Sequence, residues 1–148
     1  MDQVKDTIYT NQTGKFPTTS SRGHKYIMIM CEIDGNAVLV EPMNNKTEDA
    51  MVKTNQKMID RLKTGGIFPK EHTLDSEISE KYKKAIEKNG MHWELVPVGM
   101  HQRNVAEKTT QTFKGHFKSI LCGIATNLTL NKWDTLLPQA ELTSNLLY

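Results

Sequence analysis

The stretch Tyr26–Ile33, YIMIMCEI, is nearly continuous apolar sequence, and Asp34-Gly35-Asn36 follows it directly. Alternate side chains of a strand point to opposite faces, so a strand with both sets apolar must be covered on both. Asp-Gly between two apolar runs is a strong hairpin signal, because the tight turn needs residues that accept positive φ. Ala37–Val40 is the expected return strand, with Pro42 helping to end it. Thr7–Gln12 suits a short strand ahead of this pair, and the Thr-, Ser-, Pro- and Gly-rich residues 15–23 between them form a loop. The chain therefore opens as a three-stranded meander that cannot be stable without layers on either side.

The remaining pattern supplies those layers. Thr47 is a candidate N-cap, followed by Glu48 and Asp49 where the helix dipole favours acids. Met51, Thr54, Met58 and Leu62 give an inward stripe, and Gly65-Gly66 ends this helix. Lys70–Leu74 is a short strand. A second helix carries Ile78, Tyr82, Ala85 and Ile86 on one face and stops at Asn89-Gly90. His92–Val96 is the fifth strand. A long helix follows from about Arg103 to Cys122, with Val105, Thr109, Phe113, Phe117 and Ile120 inward. In the last segment, Leu130–Leu147, Trp133, Leu137 and Ala140 pack, and Pro138 kinks or splits the helix. The order β-β-β-α-β-α-β-α-α specifies an α/β fold: a mixed five-stranded sheet flanked by helices.

With 148 residues, 37% hydrophobic and 24% charged, the chain has the length of one domain with its own core. No apolar run approaches the roughly 18 residues of a membrane span, so no membrane partner is expected. No charged-then-apolar leader opens the chain, so no secretory signal is expected. Cys31 and Cys122, the two cysteines, sit in apolar runs, which argues for a reduced, intracellular setting without a disulfide. The five histidines are scattered and the cysteines lack CxxC spacing, which excludes a zinc module. A net charge of +2 does not by itself indicate nucleic acid, so charge placement has to carry that argument.

In this order of elements the first and fourth strands can lie side by side and parallel, opening a crevice at their carboxyl ends. Asn11 lies near the end of the first and Asp75 at the end of the fourth. Glu107 lies one turn into the long helix. Carboxylates converging there would suit two Mg²⁺ ions, which take oxygen ligands and stabilise the attacking and leaving oxygens of phosphoryl transfer. Each residue also has a plainer reading. Asp75 and Asn104 could be helix caps, Glu107 a solvated charge, and Asn11 turn chemistry.

The stretches TNQTGKFPTTSSRGHKYIMIM, NAVLVEPM, LDSEIS, HQRNVAEKTTQTFKGHF and KWDTLLPQAELTSNLL, in one collinear order over nearly the whole chain, resemble the integrase catalytic core of copia-type retrotransposon polyproteins. The resemblance implies a ribonuclease H-like fold and metal-dependent DNA strand transfer with Mg²⁺ or Mn²⁺. It implies a single core domain over residues 1–148, cut from a longer polyprotein whose upstream zinc module is not in this sequence. It also implies DNA as partner, a homodimer by analogy, and a nuclear location if the element is eukaryotic.

The family uses an Asp on the first strand, an Asp after the fourth and a Glu on the long helix. Asp75 in LDSE and Glu107 in RNVAEKTTQTFK match the second and third, and would hold the metal. The family's Asp-x-Thr-Gly-Lys/Arg-Phe falls on Asn11-Gln12-Thr13-Gly14-Lys15-Phe16, so an amide stands at the first acid. An amide presents one neutral carbonyl oxygen to a cation and cannot bridge two ions as an anion does. Weak metal binding and impaired strand transfer are the expectation. Asp6, five positions back on the opposite face of a strand, is no substitute. On the long helix, Asn104, Glu107, Gln111 and Lys114 share one face opposite Phe113 and Phe117, with Lys108 beside them. With Arg103, the polar members of this face are the expected DNA contacts, touching phosphates without reading sequence. Two other readings stay open: a non-catalytic or domesticated DNA- or protein-binding module of the same fold, and a ribonuclease H-like nuclease.

Overall fold

The computed structural model describes residues 7–12, 19–32, 37–74, 79–95, 101–123 and 130–147. Five strands, β1 (Thr7–Gln12), β2 (Tyr26–Glu32), β3 (Ala37–Met43), β4 (Glu71–Leu74) and β5 (His92–Leu95), form one sheet in the order β3-β2-β1-β4-β5. β1 and β3 run antiparallel to β2, while β4 is parallel to both β1 and β5. The helices are α1 (Glu48–Thr64), α2 (Glu80–Lys88), α3 (His101–Gly123) and α4 (Leu137–Leu147), with a 3-10 helix, Leu130–Leu136, leading into α4. No described helix is long and apolar enough to cross a membrane.

Alternation along β1 and β2 divides the core in two. Ile8, Met28 and Met30 face one way and pack with Met58, Ile59 and Leu62 of α1 and Tyr82 and Ile86 of α2. Tyr9, Ile27, Ile29 and Cys31 face the other way, against Phe113 and Phe117 of α3, Trp133, and Leu137 and Ala140 of α4. Every β2 residue from Ile27 to Glu32 is buried, as a strand covered on both faces requires. Burying each large side chain in these layers stabilises the fold by about 1.5–3 kcal/mol.

Several boundaries differ from the sequence expectation. β3 does not end at Val40 but runs through Pro42 to Met43. The amides of Val38 and Val40 point away from β2, to Asn145 Oδ1 at 2.7 Å and Glu141 Oε2 at 2.8 Å. Pro42 shares their parity, so its missing N–H falls on the free edge and costs no ladder bond. In α1 the buried set is Asn55, Met58, Ile59 and Leu62, with Thr54 only half-buried, so the inward face is turned relative to the expected stripe. Thr47 caps α1 as expected, accepting from the Ala50 amide. Pro138 does divide the last segment, as the second residue of α4, where its lack of an N–H costs nothing. Ile33, Ile78 and Val96, expected within elements, lie outside the described residues.

Candidate functional site

β1 and β4 lie side by side in parallel register, with Ile8 opposite His72 and Thr10 opposite Leu74. Asn11 follows Thr10 and is still within β1, opposite Ile29 of β2. Asp75 follows Leu74 in sequence but lies outside the described residues, as does the Asn11 side chain. Among the described residues no three His, Cys, Asp or Glu side chains are grouped to hold a metal ion.

The helix ends bear on two of the plainer readings. Ser79 caps α2, accepting from the Tyr82 amide at 3.2 Å. α3 begins at His101, two residues earlier than expected, so Asn104 is inside its first turn rather than its cap.

α3 is fixed on the sheet by its apolar side. Phe113 and Phe117 are buried with ring centroids 6.0 Å apart and planes within 13°. Thr110, also buried, contacts Cys31 Sγ of β2 through its hydroxyl at 3.9 Å. Burial drives the Cys31 thiol up to about 11, with the Thr110 contact partly opposing, so it is an inert core thiol. With α3 held this way, Glu107 and Lys114 are half-buried, and Lys108 and Gln111 are exposed. At about 100° per residue, the face of Glu107, Gln111 and Lys114 flanks the buried side by roughly a quarter turn rather than opposing it. The side chains of Arg103 and Asn104, in the first turn of α3, lie outside the described residues.

Behind β1 and β4 is a buried polar contact. Thr10 Oγ1 lies 2.9 Å from His72 Nε2, and the His72 ring meets Tyr82 of α2 edge-on with centroids 6.2 Å apart. Burial alone pushes the His72 pKa down to about 3, so the ring is neutral and the Thr10 hydroxyl can donate to it.

Sequence reasoning missed a second cluster. Asp134, its side chain fully buried, accepts from His24 Nδ1 at 2.5 Å and Arg22 Nε at 3.2 Å. Burial raises its pKa, but the bonds from His24, Ser20 and Arg22, with the Arg22 charge, outweigh that and hold it below the ordinary value. The residues around Ser20 reach Asp134 through a turn in which Gly23 adopts φ +86°, and the His24 amide donates to Ser20 Oγ at 2.9 Å. The signal that could have found it is an acid next to Trp133, a residue expected to pack inward.

No protein-family model and no curated protein sequence matches the chain. Solved structures do. The catalytic core domain of BIV integrase superposes with a TM-score of 0.72 at 12% identity, covering 94% of this chain and 82% of that one. A structure of the simian T-cell lymphotropic virus intasome in complex with the PP2A regulatory subunit B56 gamma also matches at TM-score 0.72. Identity there is 14%, over 93% of this chain and 47% of that one. Likeness at such identity is likeness of fold: the chain has the ribonuclease H-like fold of integrase cores, a mixed five-stranded sheet flanked by helices.

Proposed function

We propose that the chain is an integrase catalytic core of the copia retrotransposon type, built for metal-dependent DNA strand transfer and impaired by Asn11. The observation that carries this reading is the parallel register of Thr10 opposite Leu74. Each is followed by one of the two residues, Asn11 and Asp75, that match the family's first and second acids. Tyr9, two residues before Asn11, lies on the face that α3 covers. Glu107, half-buried on the flank of that helix, is the third member. The α2 cap being Ser79 supports the same reading for Asp75.

The donor set of two carboxylates and one amide fits a single Mg²⁺ or Mn²⁺ held weakly. It does not fit a bridged pair, because the bridge needs an anion at position 11. DNA lies along the α3 flank, with Arg103, Asn104, Lys108, Gln111 and Lys114 as contacts. The lysines and arginine meet phosphates, so binding weakens steeply with salt. By analogy with that family, a second copy of the chain docks through helical faces, and the location is nuclear if the element is eukaryotic.

The test is a nicking and strand-transfer assay on labelled duplex DNA with Mg²⁺ or Mn²⁺. The chain as given yields little or no joined product. Asn11→Asp gains metal-dependent joining and a Mn²⁺-induced rise in Tm, and adding Glu107→Gln abolishes both. An Asn11→Asp variant that binds DNA but neither joins it nor responds to Mn²⁺ overturns the reading in favour of a binding module. Cutting without joining overturns it in favour of a nuclease.

A further inference from the structure

At the end of the sheet away from β4 and β5, the free edge of β3, α1 and α4 enclose a pocket of about 550 Å³, within the usual size of small-ligand sites. None of its lining residues belongs to the site proposed above. Its charges are balanced in number but not in availability. Glu41 has both oxygens engaged, by Lys57 at 3.0 Å and Arg61 at 2.8 Å. Glu141 gives one oxygen to Arg61 and the other to the Val40 amide. One Asp134 oxygen holds His24 and Arg22, and the other is sealed from solvent.

Each carboxylate is therefore already paired with a cation, while donors remain on the cations. Among the described residues Arg22 is engaged through Nε and its side chain is 58% exposed, and Lys57 pairs with Glu41 and is 68% exposed. Beside these donors the wall is apolar: Pro42, Leu137, Pro138 and Leu142, the last a leucine left 61% exposed. A purely apolar ligand would leave these donors unmet.

We propose that this pocket binds small organic anions. An oxyanion, carboxylate or phosphate, is held by Arg22 and Lys57, and a short hydrocarbon body lies against Pro138 and Leu142. The Asp134 clamp gives Arg22 a fixed position, which lowers the ordering cost of binding. Because Arg22 and Lys57 remain wet, affinity is about millimolar and falls with ionic strength.

The experiment is an NMR titration of the full chain at constant ionic strength with hexanoate, hexyl phosphate, inorganic phosphate and, as control, sodium chloride. Hexanoate and hexyl phosphate give saturable shifts centred on His24 and Leu142, with Kd about 1 mM, and the tighter of the two identifies the preferred oxyanion. Inorganic phosphate binds about tenfold more weakly. Arg22→Gln and Lys57→Gln each weaken both organic anions by at least about fivefold with the fold intact. Leu142→Ser removes their advantage over inorganic phosphate. Shifts that do not saturate, that sodium chloride reproduces, or that persist unchanged in both Arg22→Gln and Lys57→Gln overturn the proposal. So does inorganic phosphate binding as tightly as hexyl phosphate.

Discussion

Thr10 Oγ1 lies 2.9 Å from His72 Nε2, joining β1 to β4 by a side-chain bond within the layer that α2 covers. Thr10 is the residue before Asn11 and His72 is two before Leu74, so the bond ties together the two strand ends on which the proposed site depends.

The burial of His72 makes the fold sensitive to mild acid. The folded His72 takes a proton only near pH 3, the unfolded one near 6.5. Between those values the unfolded state binds more protons, so stability is complete above pH 6.5 and falls as pH drops towards 3. From about pH 7 to pH 5 the loss is roughly 2 kcal/mol. Urea unfolding at the two pH values measures it, and His72→Gln flattens that slope. An unchanged slope in the variant refutes the assignment.

Asp134 acts in a lower range and with the opposite kind of group. Its folded pKa lies below the ordinary carboxylate value, so its contribution is present above that value and lost as pH falls below it. Asp134→Asn removes the charge that Arg22 and His24 share and costs about 1–3 kcal/mol at neutral pH. Comparing chemical denaturation of the two proteins at pH about 7 and about 3 checks both size and direction, since the difference shrinks in acid.

The free edge of β3 is closed by side chains rather than by a strand. Asn145 accepts from the Val38 amide at 2.7 Å and donates to its carbonyl at 2.9 Å, and Arg61 bridges Glu41 and Glu141 alongside. Asn145→Ala reopens these groups. The expected result is a loss of about 1 kcal/mol and concentration-dependent self-association through the exposed edge, read by light scattering.

Cys31 should be chemically silent in the folded state. With burial raising its thiol to about 11, its reaction with a disulfide reagent in a Cys122→Ser background is at least about a hundredfold slower than that of free cysteine. Denaturant restores the ordinary rate. Fast labelling of the native chain contradicts the packing of α3 on β2.

What the sequence determined by itself was local and periodic. The continuous apolar run of β2, the Thr47 cap and the split at Pro138 depend on neighbours a few residues away, and their physics is written in the chain. So was the character of Cys31, whose apolar surroundings announce a buried thiol. Tertiary structure decided what depends on distant partners. Thr54 gave way to Asn55 and Ile59 because the rotation of α1 is set by the sheet beneath it. Pro42 stays in β3 because its edge faces α4 and needs no further ladder bond. Asp134 became a clamp because residues 110 apart meet there. For the proposed site, the sequence supplied the residue types at positions 11, 75 and 107. Only the pairing of β1 with β4 could bring the first two strand ends together, since that register is chosen by both sheet faces at once and not by either segment alone.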